Sequence, residues 1–250
     1  MEGWKMYSRV GVIGFGMVLM LVGCGPTNEP EYEPPDVYGN GIIISDTIAG
    51  QPFAVVDVWD GCKTTIVQDS VCRAIVSADE NLLGHGIGAS VRASRRGSEL
   101  SIFRDDHVWP TQFTANVWLP RITALSFYHA ECDFTSGLTS DTTVWIWSIM
   151  GGKITGTLHA PGIDALIAQS ALTVSGTVPR VILDIRNGYT DFSELLASHV
   201  TVSSDDGTTV KVYCTDTLIV SGKRGSHIYC RGDPRHIVAD LDSTSFLKKL

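Results

Sequence analysis

From Ile122 onward, short apolar units recur about every 18 to 22 residues, and this recurrence restricts the available folds more than any other feature of the chain. The units begin near Ile122, Val144, Ile163, Val181, Val200 and Leu218. Each opens on an apolar step, passes a glycine or polar corner, and returns to a second apolar pair. Thus Leu125-Ser-Phe127 leads to Cys132-Asp-Phe134, Leu166-Ile-Ala168 to Leu172-Thr-Val174, and Leu218-Ile-Val220 to Ile228-Tyr-Cys230. Such a unit is too small to bury its own apolar face. Stacked as coils, the units let every strand pair with the one above and below at ~4.8 Å, and inward side chains form ladders. The pattern predicts a parallel β-helix, with an irregular β-sandwich as the competing all-β solution.

The first half is also β in character but lacks the repeat. Turn residues punctuate it at short intervals, and Val, Ile, Thr and aromatics fill the gaps. Strands are predicted over 41–44, 53–59, 64–67, 72–77, 89–93 and 99–103. Two hairpins are expected, one turning at Asp69-Ser70 and the other at Arg95 to Gly97, where glycine supplies a left-handed position. Between them, Ala78 to Leu83 is expected to make one short helical turn.

The N-terminus reads as an export segment. Lys5 and Arg9 precede an apolar run from Val10 to Val22, too short for the ~20 residues of a membrane span. Leu21-Val-Gly-Cys24 resembles the lipobox of bacterial lipoproteins, which implies cleavage after residue 23 and acylation of Cys24. Acyl chains on one cysteine would hold the protein on a membrane, at ~0.8 kcal/mol per buried methylene. Residues 24–37, with Glu29, Glu31, Glu33 and four prolines, cannot bury a core and read as a semi-extended tether. Acidic residues close behind the cysteine resemble surface-export signals, and a plain hydrophilic spacer has the same composition. A single folded domain is expected over 38–250. The resulting address is an outer-membrane lipoprotein on the periplasmic face or the cell surface.

Formal net charge is −8, and because Lys5, Arg9 and Glu2 together carry +1, the chain after the signal carries −9. An acidic body without basic clusters argues against nucleic acid and against adsorption to anionic lipid. Arg95-Arg96, Lys223-Arg224 and Lys248-Lys249 read as solvated turns or termini.

Three stretches carry a family resemblance. Val76-Ser-Ala-Asp-Glu-Asn-Leu-Leu83 has a strand exit followed by an Asp/Glu-Asn-Leu turn. Leu119-Pro-Arg-Ile-Thr-Ala-Leu125 enters the repeated coils, and Ile228-Tyr-Cys-Arg-Gly-Asp-Pro234 with Asp240-Leu-Asp-Ser-Thr-Ser245 closes them. In these the chain resembles the GIN-domain "putative auto-transporter adhesin head" family, a domain of unknown function common in Bacteroides-like bacteria. The resemblance implies an all-β, right-handed parallel β-helix with an antiparallel N-terminal hairpin region. It supplies no catalytic residues. The chain departs from the family at its coil corners, where Tyr128-His-Ala-Glu131 and Ser148-Ile-Met-Gly151 replace small-residue runs.

Candidate sites are few. Trp145 and Trp147, at i and i+2, project to the same side of a strand. Turned outward they could stack on sugar rings or dock an apolar partner; turned inward they fill the core, and a one-residue slip exchanges the two outcomes. Asp184, Asp191, Asp205 and Asp206 merit inspection because some β-helix enzymes cleave polysaccharides with clustered aspartates, but surface corners are the simpler expectation. Arg231-Gly-Asp233, followed by Pro234, reads as a turn rather than a recognition tripeptide, and Gly84-His-Gly-Ile-Gly88 as loop glycines. The seven histidines show no ligand spacing, so neither a metal nor another cofactor is expected. Apart from Cys24, five cysteines remain: Cys62, Cys72, Cys132, Cys214 and Cys230. An odd number leaves at least one thiol unpaired. Cys214 and Cys230 fall on successive coils as neighbours, bonded or as thiols, and Cys132 reads as a core thiol.

Taken together, these features point to a lipid-anchored envelope protein, held to the membrane by its N-terminal lipid, with an adhesin-like or scaffolding surface for a glycan or envelope protein and no catalysis. A carbohydrate-active β-helix enzyme, lyase or hydrolase, is the alternative. A purely structural envelope component is the third reading.

Overall fold

The computed structural model describes residues 36–49, 52–83 and 91–250. The lipobox, Cys24, most of the tether and the Gly84–Gly88 loop lie outside the described residues.

The chain builds a β-solenoid of about seven successive turns, extended at its N-terminal end by coils that fold out of order. The repeated part comprises β10 (Ala124–Tyr128), β11 (Glu131–Thr139), β12 (Val144–Ile149), β13 (Lys153–His159), β14 (Gly162–Ala168), β15 (Ala171–Thr177), β16 (Arg180–Arg186), β17 (Tyr189–Asp205), β18 (Thr209–Gly222), β19 (His227–Arg231), β20 (His236–Leu241) and β21 (Phe246–Lys249). One wall stacks β10, β12, β14, β16, the second half of β17, the second half of β18 and β20, all parallel. The other stacks β11, β13, β15, the first halves of β17 and β18, β19 and β21.

The apolar steps that mark the repeat in the sequence become one physical column. Val144, Ile163, Val181, Val200 and Leu218 are register partners coil after coil, all buried. Only Ile122 departs, by one residue, because Thr123 occupies that column. On the second wall Phe134, Gly156, Val174, Phe192, Val212 and Cys230 form the matching inward series.

Between the walls the chain turns through one residue in the left-handed region. Asp60, His129, Met150, Gln169, Asn187, Asp206 and Arg224 all have φ between 46° and 60° and occupy the same corner of successive coils. Isolated left-handed residues cost roughly 1–3 kcal/mol each. Here the corners are tied to one another by backbone bonds, from His129 N to Ile149 O, Met150 N to Ala168 O, Gln169 N to Arg186 O and Asn187 N to Asp205 O, at 3.0–3.1 Å. The bulkier corners expected from the sequence, Tyr128–Glu131 and Ser148–Gly151, therefore fit the coil without a change of path.

The N-terminal half uses β1 (Val37–Tyr38), β2 (Ile43–Ala49), β3 (Val55–Trp59), β4 (Lys63–Gln68), β5 (Arg73–Asp79), β6 (Val91–Arg96), β7 (Glu99–Arg104), β8 (Val108–Trp109) and β9 (Phe113–Leu119). The hairpin at Arg95–Gly97 forms, pairing β6 with β7. The one expected at Asp69-Ser70 does not: β9 lies between β4 and β5, parallel to the first and antiparallel to the second. The chain turns at Asp69 as expected, but β4 continues the solenoid wall while β5 begins the antiparallel cap completed by β2. The coil β3–β4 sits between β7–β9 on one side and β10–β11 on the other. Residues 79–83 form the expected single turn, Leu82 N and Leu83 N both donating to Asp79 O.

All five cysteines in the described residues are buried free thiols. Burial pushes the Cys62 thiol up to about 12 and, helped by nearby Cys214, the Cys230 thiol to about 11. Neither is a nucleophile at neutral pH.

Candidate functional site: an aromatic platform on the outer wall

Strand β12 alternates Val144, Ile146 and Ser148 inward with Trp145, Trp147 and Ile149 outward. The two-way register is thus resolved: both indoles face solvent, 48 % and 54 % exposed. No ring or cation stacks on either one among the described residues, and about half of each side chain is open to solvent.

Their surroundings come from three coils. Trp145 stands in register with Ala124 below and Asp164 above, and Trp147 with Ser126 below and Leu166 above. Ser126 in turn lies over Asp57, to which it hydrogen-bonds. Nearest the corner, Tyr128 is in register with Trp59, and their rings stack at 4.9 Å between centroids. Trp59 Nε1 donates to Asp57 Oδ2 at 2.7 Å, fixing the indole. The outcome is an aromatic surface on one wall, interleaved with hydrogen-bonding side chains and continued along the wall by Ile182.

The electrostatics are acidic. Burial raises the Asp57 carboxyl above its ordinary range, against the lowering effect of the Ser126 and Trp59 bonds, and Glu99 adds to the rise. Asp164 Oδ1 lies 3.0 Å from Arg180 Nη2, and Arg186 lies 3.6 Å from Asp184. Arg180 and Arg186, on the coils above the platform, are thus each already paired with a carboxylate, and Arg104, beside Asp60, donates to backbone carbonyls.

Trp59, Tyr128, Asp57 and Ser126 were not legible as partners of Trp145 and Trp147. Residues 55–59 reach them through a stacking step across 69 residues of chain, from Val55 to Ala124. No local spacing encodes such a step.

The four aspartates considered for polysaccharide cleavage fall in three separate places. Asp184 lies on the outer first wall beside Arg186. Asp191 is on the second wall, where burial opposes its charge but bonds from Ser193, Tyr189 and Lys211 prevail and hold its carboxyl down to about 2. Asp205 and Asp206 share Arg224 at the corner. A shallow depression along that corner is lined by Gly152, Gln169, Ser170, Asn187, Gly188 and Tyr189 among others, none of them acidic. No group of three or more metal-ligating side chains occurs among the described residues. Arg231 ends β19 and the chain bends at Gly232, with φ 93°, rather than closing a hydrogen-bonded turn; Arg231 is paired to Glu194 and Asp233 to Lys249 at 2.6 Å.

Residues 52–234 match the family model described as "Putative auto-transporter adhesin, head GIN domain". Among solved structures, the chain is similar to a "putative adhesin" from Bacteroides fragilis, with a TM-score of 0.78 and 16% identity over 86% of this chain and 100% of that one. It is also similar to a "putative lipid binding protein" from Parabacteroides distasonis, with a TM-score of 0.64 and 15% identity over 86% and 99%. A "putative adhesin" from Parabacteroides merdae follows at 0.53 and 11%, over 87% and 100%. At these identities the structures support the shared fold. No curated protein matches the chain.

Proposed function

The chain belongs to the family of the auto-transporter adhesin head GIN domain, and from that premise we propose that it is a lipid-anchored protein of the cell envelope that binds through its outer first wall, without catalysis. The observation that carries this reading is the platform of Trp59, Tyr128, Trp145 and Trp147 on a rigid wall. Large exposed aromatics are uncommon on a surface with no partner, and a rigid sheet presents them without an ordering cost. Binding sites on such scaffolds are built from aromatic contact area with a few fixed polar groups. The anchor is inferred from Leu21-Val-Gly-Cys24, and the prolines and glutamates that follow would set the folded body off the membrane.

Two outcomes test the reading in a bacterium making the full chain. With radiolabelled palmitate, the wild type is expected to take up label and sediment with membranes, whereas Cys24→Ser is expected to lose the label and appear in the soluble fraction. A Cys24→Ser protein still labelled and membrane-bound would refute the anchor. Attachment of a non-adherent host displaying the chain is expected to fall about tenfold or more in the Trp145→Ala/Trp147→Ala double variant. Thr155→Ala/Thr173→Ala on the second wall is expected to leave attachment unchanged. Equal attachment by both doubles would remove the first wall as the binding surface.

A further inference from the structure

We infer that the first wall binds an uncharged, extended glycan chain laid along β12, with consecutive pyranose rings on Trp147 and Trp145; the inference rests on the proposal that this wall is the binding surface. Three features favour that occupant. First, the two indoles are two residues apart on one strand, a spacing of roughly 6.7 Å, and each is about half open to solvent with no ring or cation stacked on it among the described residues. A flat sugar ring presents its C–H face to such a ring, whose π cloud is its negative face.

Second, each indole has a hydrogen-bonding neighbour one strand away, ~4.8 Å across the sheet. Asp164 is in register with Trp145, and Ser126 with Trp147, Ser126 being held by Asp57. Stacking supplies affinity for a ring face, and these groups at its edge are placed to accept from or donate to equatorial hydroxyls. A purely apolar partner would strip water from the remaining lone pairs of Asp57 and of the Asp164–Arg180 pair without replacing it, a desolvation that opposes binding.

Third, the charge excludes the common acidic ligands. Asp57, Asp60, Glu99 and Asp164 belong to or border the wall, while Arg180 and Arg186 are already paired. A uronate, a sulfated sugar or an anionic headgroup would meet this acidic field with Arg180 and Arg186 already engaged and Arg104, beside Asp60, turned to backbone carbonyls. Tyr128 and Trp59, stacked on each other, stand one and two coils below the strand of Trp147 and bound the glycan's track on the corner side.

Calorimetric titration of the full chain in detergent micelles with gluco-configured β-1,4-linked oligosaccharides of one to six units tests this directly. Affinity is expected to rise from the monosaccharide to the trisaccharide and level off thereafter. Each of Trp145→Ala and Trp147→Ala is expected to weaken the hexamer about tenfold, and Asp164→Asn less. The matching β-1,4-linked oligoglucuronate is expected to bind at least about tenfold more weakly at low salt and to recover part of the gap as salt is raised. No binding of the neutral hexamer, while attachment in cells still depends on the two tryptophans, would overturn the glycan and leave the binding wall standing. Hexamer binding indifferent to both tryptophans would overturn both. Oligoglucuronate binding as tight as the neutral chain would overturn the charge argument and with it the proposed ligand class.

Discussion

Replacing Phe134 with alanine is expected to destabilise the solenoid by about 3–5 kcal/mol, and replacing Gly156 with valine by about 1–3 kcal/mol. The two are expected to compensate when combined. Phe134 is fully buried on the second wall, in register with Gly156 of the next coil. A Cβ built on Gly156 would lie 1.9–2.3 Å from three carbons of the Phe134 ring. The ring thus occupies the space that the glycine leaves empty. Alanine at 134 opens a cavity there, and valine at 156 drives a branched side chain into the ring. Carrying both, the chain places valine in the volume phenylalanine has vacated, so the pair should cost less than the sum by about 1–3 kcal/mol. In a solenoid each coil contacts only its neighbours, which makes a single coil-to-coil contact decisive for the cooperativity of the stack. Urea titrations of the three variants and the parent measure the coupling through their midpoints and slopes. In thermal melts, Phe134→Ala should lower Tm by about 10 °C or more. Strict additivity would mean that ring and glycine do not share the site as described.

The second half of the chain was legible because its contacts are sequential. A coil pairs with the coil 18 to 22 residues later, so Val144, Ile163, Val181, Val200 and Leu218 display in sequence the column they form in space. The first half was not, because β3 pairs with β7 and β10, and β9 separates β4 from β5. Those pairings span long, irregular stretches of chain, and nothing near Asp69 distinguishes a hairpin from a coil leaving for a neighbour. The direction of Trp145 and Trp147 was ambiguous for a different reason: every residue from Val144 to Trp147 is apolar, so the two-residue alternation carries no polar mark. The mark lies one and two coils away. Asp164 shares the column of Trp145, and Asp184 that of Trp147 through Leu166. A carboxylate cannot face a dry core unpaired, so aligning the repeats before assigning faces settles the indoles as outward. The stacked Trp59 and Tyr128 had no such route.

Asp79→Ala is expected to release the N-terminal cap, at a cost of about 3 kcal/mol or more, since bonds to a charged acceptor contribute about 1.5–3 kcal/mol each. Asp79 ends β5 fully buried, and its carboxylate accepts from Gly41 N, Thr111 N and Thr111 Oγ1, each at 2.7 Å. Gly39 is held so close that a Cβ there would fall 2.2–2.4 Å from the carboxylate atoms. Two residues later Asn81 continues the clamp, donating to Tyr38 O at 2.9 Å and accepting from Asn40 N at 3.0 Å. The Asp-Glu-Asn-Leu turn that marks the family resemblance thus ties residues 38–42 and the start of β9 to the end of β5. Burial opposes the charge of Asp79, but the bonds from Thr111, Gly41 and Gln112 outweigh it and hold the carboxyl below its usual range. The sign follows: a carboxyl with a depressed folded pKa contributes its stability in full above the unfolded value near ~3.9 and loses it as pH falls through the folded one. Amide exchange in β2 and β5 should therefore accelerate as pH drops below about 4, beyond the intrinsic pH dependence of exchange, while β12 to β18 stay protected. Asp79→Asn, close in shape but uncharged, should leave β2 and β5 exchanging faster at neutral pH, without the additional acid-induced opening. If the asparagine variant keeps the parental protection at pH 7, the carboxylate is not what holds the cap.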